Sequence, residues 1–299
     1  MNGTGSDKLW DAWFPLLRLE GSGTRAFLHG QTSADVNAAN ASQLIRSCWL
    51  SATGRLQALL EIRLDSSGAD VLVLAGDAEA LASGFDRVIF PADRVRLLPI
   101  KQQHRQQRLR SELSDTSWHE DVQWSGDASR SETASSQSTA IAAAAAPTTA
   151  SAEELERWRL GLGLPLGTGE LNGETNPLEL GLGEWLSLSK GCYLGQETIA
   201  KVAGRQGVKQ QLRCWQLPAE ATTTAAPLTI AAGQQLLQGD ERAGVITSVL
   251  AREGRYQGLA LVRRAALEAS HLQLAGLATE HPVEIQLDVP AGFRDPELS

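Results

Sequence analysis

Between Leu16 and Ile100, short apolar or alternating stretches recur with turn residues between them. Arg46–Ser51, Leu56–Leu64 and Asp70–Ala75 read as strands, separated by Gly54 and by Asp65-Ser66-Ser67-Gly68. Ahead of them, Gly21–Gln31 opens with small and polar residues that can cap a helix and continues with Ala26, Phe27 and Leu28. Asp77–Phe90 carries Leu81, Phe85, Val88 and Ile89 at helical spacing behind Asp77, an expected N-cap. Pro91 is expected to end that helix, and Val95–Leu98 reads as another strand. The order strand, strand, helix, strand predicts an α+β layer with helices packed on an antiparallel sheet.

The pattern changes between Ser125 and Ala152, where Thr133–Ala152 is almost entirely Ser, Thr and Ala. Such a stretch buries too little apolar surface to offset the entropy of ordering it, so a flexible insertion is expected there. Glu153–Leu160 returns to helical spacing, and a Gly/Pro-rich passage follows from Gly161 to Gly183. After Val208 come Leu212–Leu217, Gln234–Leu237, Val245–Leu250, Leu259–Val262 and Val283–Leu287, punctuated by Gly233, Gly239, Gly244 and Gly254. Many short strands at that spacing predict a separate C-terminal antiparallel β-barrel module. The expected division is 1–207 and 208–299.

Composition narrows the function classes. The 299 residues include 27 Lys plus Arg and 35 Asp plus Glu, a formal charge of −8 that disfavours a protein coating long nucleic acid. No apolar run approaches the ~18 residues of a membrane span, so no membrane partner is expected. Met1–Lys8 lacks the apolar core of a signal peptide. Cys48, Cys192 and Cys214 are odd in number and far apart, which makes a disulfide framework unexpected and a cytoplasmic location the fitting one. There is no phosphate loop of the Walker type, no Cys-x-x-Cys and no His-Glu-x-x-His, and the five histidines are scattered. No metal ligand is nominated.

One motif stands apart: Lys190-Gly-Cys192-Tyr193-Leu-Gly195-Gln196-Glu197. Two glycines flank the cysteine at a tight turn, and Gln196–Val202 reads as the start of a helix. A thiol near a helix N-terminus, with Lys190 two residues away, is expected to lie low in pKa and act as a functional thiolate. The competing reading is a buried, inert cysteine at a helix start. Downstream, Lys201, Arg205, Lys209 and Arg213 recur every four residues and can form either an anion-binding patch or a solvated face. Lys101–Arg110, a second basic run, reads as solvated surface.

The octapeptide resembles the signature of the YgfZ family, folate-binding relatives of the glycine-cleavage T-protein. Further segments resemble that family too. Among them are Leu19-Glu-Gly21, Phe27–Val36, Cys48 with Gly54-Arg55, Trp158–Pro165, Asn176–Leu182, Gly244–Ser248 and Leu259–Val262. The resemblance implies a ring of α+β layers around a central cavity, closed by a C-terminal β-barrel. It also implies bound tetrahydrofolate and a role in maintaining iron–sulfur enzymes, including those that modify tRNA. The signature thiol maps onto Cys192. Tyr193, Gln196 and Trp185 are candidates to line a pterin site.

Departures accompany the resemblance. Gln57-Ala58-Leu59 stand where the aminomethyltransferase carries paired acids, and Gly161 stands where it carries a folate-holding Glu. Without those acids nothing is placed to assist transfer of a methylene group by proton transfer or charge stabilisation. The sequence therefore favours a folate-binding accessory protein. A folate-dependent aminomethyltransferase or demethylase is the alternative, and an RNA-binding module using the basic residues is a third. Glu61 and Glu179 are expected in surface or salt-bridge roles.

Overall fold

The computed structural model describes residues 8–41, 43–109, 122–124, 148–217, 228–277 and 282–296, without the side chains of Arg205 and Gln206. Most of the Ser/Thr/Ala-rich insertion, 125–147, lies outside the described residues.

The N-terminal elements are β1 (Lys8–Glu20), α1 (Thr24–Gln31), β2 (Ile45–Leu50), β3 (Leu56–Leu64), β4 (Gly68–Gly76), α2 (Ala78–Asp86), β5 (Arg96–Leu97), β6 (Lys101–Leu109), β7 (Val122–Trp124) and β8 (Thr148–Thr149). They build one eight-stranded sheet with β2-β3-β4-β1-β6-β7 side by side, β5 and β8 adding to β1. Every pairing in that row is antiparallel.

Alternation within the strands gives the sheet two unlike faces. On the outer face Leu17, Leu19, Ile45, Ala58, Leu60, Ile62, Val71 and Val73 pack against Phe27 and Leu28 of α1 and Leu81 and Phe85 of α2. As expected, Asp77 caps α2, accepting from the amides of Glu79 and Ala80 at 3.0 Å. The helix stops at Asp86, five residues before Pro91, so Val88 and Ile89 lie beyond it. On the inner face Trp10, Cys48, Leu59, Leu72, Leu74 and Trp124 meet residues from the second half of the chain.

That half begins with α3 (Ala152–Leu162), started by a Ser151/Glu154 capping box and stopped at Gly163, φ 72°. A long irregular passage leads to α4 (Gln196–Lys201) and a single π-turn over Val202–Gln206. Then β9 (Gln210–Gln216), β10 (Gln235–Gln238), β11 (Glu241–Arg252), β12 (Arg255–Arg263), β13 (His271–Leu274) and β14 (Glu284–Asp288) close into a six-stranded antiparallel barrel with its own core, including Trp215, Leu236, Ile246, Val262 and Ile285. The barrel abuts the inner cluster through Leu212, Leu259 and Leu261.

Two strands depart from the sequence reading. The central strand β1, Lys8–Glu20, is absent from the strands that the pattern predicts. Its residues Trp10, Phe14, Leu16, Leu17 and Leu19 are divided between two buried faces, so no clean alternation marks it. The basic run Lys101–Arg110, expected to be solvated, is so on one side only: through Leu109 it is β6, with Lys101, Gln102 and Arg108 exposed, whereas Arg105 (1% exposed) and Gln107 (0%) are enclosed on the inner face, and Arg110 lies outside the described residues. Polar residues at inward positions erase the hydrophobic periodicity by which such a strand is recognised.

Candidate functional site

The Lys190–Glu197 segment folds as a loop docked on the end of α1. Lys190 Nζ donates to the carbonyls of His29 (2.6 Å), Thr32 (2.5 Å) and Ala34 (2.7 Å). A lysine there satisfies carbonyls that the helix end leaves open and complements the negative end of its dipole. The amide of Leu194 donates to the Gly30 carbonyl, and Ser33 Oγ donates to the carbonyl of Trp185 at 2.6 Å. Gly195 turns the chain into α4 at φ 81°, and a Cβ there would meet the Ser51 carbonyl oxygen at 2.6 Å. Gln196 Nε2 donates to the carbonyl of Lys190, closing the loop on itself.

Cys192 sits exposed on this loop, while Cys48 is fully buried and Cys214 Sγ donates to the Leu160 carbonyl at 3.0 Å. Burial raises the thiol of Cys48, and it raises Cys214 to about 12. Cys192 lies four residues ahead of α4, outside its first turn, where dipole effects are concentrated. Lys190 is buried and its ammonium is engaged by carbonyls; burial lowers it to about 8, with Asp35 pulling the other way. Neither the helix nor the lysine thus holds the position that the thiolate reading gave it: Lys190 serves as a structural pin.

Beside the loop a cleft of about 350 Å³ is lined by Asp35, Gln43, Arg46, Glu184 and Trp185. Asp35 also faces His29 Nδ1 at 3.3 Å, and a Cβ on Gly191 would lie 4.0 Å from His29 Nε2. The cleft and the cysteine loop therefore share a wall. Arg46 lines the cleft with its guanidinium 5.6 Å from the Trp185 ring centroid; burial lowers it to about 10 against the pull of Glu61 and Glu184. Of the three pterin-lining candidates only Trp185 reaches the cleft. Tyr193 is packed in the inner core and Gln196 is spent on the loop.

Behind Arg46 lies a buried polar group in which Glu61 has the salt-bridge role expected of it, while Arg105 and Gln107 come from a run expected to be solvated. Glu61, fully buried, pairs in register with Arg46 and accepts from Arg105 through Nε (2.8 Å) and Nη2 (2.7 Å). Arg105 Nη2 also donates to Gln107 Oε1, and the guanidinium lies 4.7 Å from the Trp10 ring centroid. Burial pushes the Glu61 carboxyl up, but Arg105, Arg46 and the Trp124 indole N–H outweigh it and hold it below the ordinary value. Glu179 is likewise buried and accepts from the amide of Asn176.

The basic series does not assemble into one patch. Lys201 is paired with Glu197 at 2.6 Å on the exposed side of α4, and Lys209 is exposed. Arg213 is buried at the start of the barrel, bonded to the Leu212 carbonyl and Gln211 Oε1 and lying over Phe293. The side chain of Arg205 lies outside the described residues. The four-residue spacing runs across the passage from α4 into β9, and of the described side chains Lys201 and Lys209 are exposed while Arg213 is enclosed.

No family model matches the chain. A protein of Arabidopsis thaliana named as a chloroplastic transferase is 49% identical over 57 residues, a stretch covering 19% of this chain and 13% of that protein. The crystal structure of the glycine cleavage system aminomethyltransferase T from Bartonella henselae superimposes with a TM-score of 0.68 over 98% of this chain and 88% of the other, at 15% identity. The chain has the aminomethyltransferase T fold. Within this fold Ala58 and Leu59, at the positions that the sequence reading compared with paired acids, are fully buried and apolar, facing the outer and inner cores respectively. Among the described residues, no helix is long and apolar enough to cross a membrane.

Proposed function

We propose that this protein is a folate-binding accessory protein of the YgfZ type, which supports iron–sulfur enzymes, including tRNA-modifying ones, in the cytoplasm and works through the thiol of Cys192. The carrying observation is the exposed thiol on a loop pinned by Lys190 within an aminomethyltransferase T fold that has Ala58 and Leu59 in the compared acid positions. A pinned loop holds its cysteine in one place for a partner without the ordering cost that a floppy segment would add on binding.

The residues around the cleft fit tetrahydrofolate. A space of about 350 Å³ lies within the usual size of small-molecule sites, and it offers the Trp185 wall, the Arg46 cation and the Asp35 and Glu184 carboxylates to a flat heterocycle. Tetrahydrofolate, when bound, supplies nitrogens that carry one-carbon units. Arg46 and Trp185 would orient the ring, and the carboxylates would receive its N–H donors. An aminomethyltransferase or demethylase is the rival reading. It gains from the fold but needs an acid near the reacting nitrogen, and the nearest acid along β3, Glu61, is engaged by Arg105.

Two experiments decide. Titration calorimetry with tetrahydrofolate tests the ligand. In cells lacking the protein, Cys192→Ala is expected not to restore iron–sulfur enzyme activity. Full restoration by that variant would remove the thiol from the proposal, and turnover of a methylamine donor with tetrahydrofolate would replace it with the enzymatic reading.

A further inference from the structure

The two features expected to activate Cys192 do not do so: α4 begins four residues later, and the Lys190 ammonium is held by three carbonyls. A free thiol is only a few per cent ionised at pH 7, and a cysteine that reacts there is commonly served by a neighbouring base. Among the described histidines, His104 is held by Asp11 and His271 lies beside Ser270 in the barrel. His29 is the one that adjoins the cysteine loop.

His29 stands in the last turn of α1, and Cys192 lies midway between two ties to that turn. One tie is Lys190 Nζ on the His29 carbonyl, and the other is the Leu194 amide on the Gly30 carbonyl at 3.2 Å. Gly191 has no side chain to cover the imidazole, and His29 Nε2 is the one atom that a Cβ there would approach, at 4.0 Å. Covalent geometry then puts the Cα of Cys192 within about 9 Å of Nε2, a gap that the exposed Sγ closes by turning inward, with one water bridging any remainder.

The other ring nitrogen faces an acid. Asp35 Oδ1 lies 3.3 Å from His29 Nδ1, and the imidazole is largely enclosed, at 16% exposed. A carboxylate at Nδ1 favours the tautomer with its proton there and leaves the Nε2 lone pair toward the loop. Asp35 and Lys190 are the charged groups facing the ring, while Arg25, one turn earlier on α1, is turned to the carbonyls of Val36, Asn37 and Ala39. Burial and Lys190 lower His29 from its ordinary 6.5 against the pull of Asp35, so the ring is unprotonated at pH 7 and free to accept.

We infer that His29 is the proton acceptor for Cys192, with Asp35 as its positioning residue. The S–H bond breaks, the proton passes to Nε2 and the electron pair stays on sulfur, while Asp35 stabilises the imidazolium that forms. The inference rests on the reading of Cys192 as the working thiol and adds the groups that ready it.

The test is the rate of alkylation by iodoacetamide between pH 5.5 and 9, in which the S–C bond forms as iodide leaves. Cys48 is enclosed and Cys214 is raised to about 12, so Cys192→Ala is expected to give the blank. His29→Asn is expected to slow alkylation at pH 7 about fivefold or more and to leave the profile of a lone thiol, with a midpoint near ~8.5. Asp35→Asn keeps an acceptor for the Ala38 amide and removes the charge, and is expected to slow it about two- to threefold. Either variant is informative if the other fails to fold. Profiles of both variants that superimpose on wild type would overturn the inference and leave the functional reading of Cys192 standing. Full restoration of cells by Cys192→Ala would remove that reading, a separate outcome from any change in the alkylation profile.

Discussion

The two faces of the sheet are built from the same strands and bury comparable side chains, yet they are made on different principles. The outer face is wholly apolar where it meets α1 and α2, with Leu17, Leu19, Leu60 and Val71 fully enclosed. The inner face, two residues along the same β3 strand from Leu59, encloses Glu61 and with it Arg46, Arg105 and Gln107. Burying charges is expensive unless they are paired, and a well-packed apolar set is often as stable or more so. The outer face therefore accounts for cohesion. The inner face carries a cost that cohesion alone does not explain; Arg46 connects it to the cleft and Tyr193 to the cysteine loop.

Substitutions can break or sharpen this contrast. Glu61→Ala leaves two arginines without their carboxylate and is expected to cost about 3–5 kcal/mol in chemical denaturation. The double change Glu61→Met with Arg105→Met leaves one arginine, Arg46, which Glu184 also faces, and is expected to cost clearly less than Glu61→Ala. If the double change unfolds the protein as badly as the single one, the inner polar group is structural and the contrast fails. Leu60→Ala, on the outer face of the same strand, is expected to cost about 2–4 kcal/mol through the cavity it leaves, with ligand affinity unaltered.

Lys190→Met removes the donor for three carbonyls at the α1 end and is expected to cost roughly 2–3 kcal/mol, with faster proteolysis of the loop. Acid gives a smaller and more gradual effect. The Glu61 carboxyl titrates below its ordinary 4.5 in the folded protein, so the unfolded chain binds the proton first. Its contribution is fully present above about pH 4.5 and is lost as the pH falls through the lower folded value. Denaturation midpoints measured from pH 6 down to 3 are expected to fall less for the Glu61→Met/Arg105→Met protein than for wild type. Smallest of all, Cys192→Ser is expected to shift stability by no more than about 0.5 kcal/mol, since the side chain is exposed, and to register only in function.

Much of the scaffold was legible beforehand. Strands β2, β3 and β4, the Asp77 cap, α3 and most barrel strands follow from local pattern and turn chemistry, which act over a few residues. The exposed cysteine was legible too, because two glycines around it mark a turn. The inner site was not. Arg105 and Gln107 sit in a run that reads as solvated, and Arg46 reads as an ordinary strand position. Nothing within ten residues of Arg105 reveals that Glu61, 44 positions away, will meet it. The burial of Arg213 was illegible for the converse reason: even spacing along the chain says nothing about enclosure once α4 gives way to β9.

By itself the sequence determined the alternation, caps and turns that make a sheet with helices and then a barrel, since these are set by side chains and their immediate neighbours. Only the tertiary structure decided which polar residues are enclosed, which cation pairs with which acid, and which histidine adjoins the cysteine loop. Those outcomes depend on strand register and on the faces brought together by residues far apart in the chain, and local pattern carries no record of either.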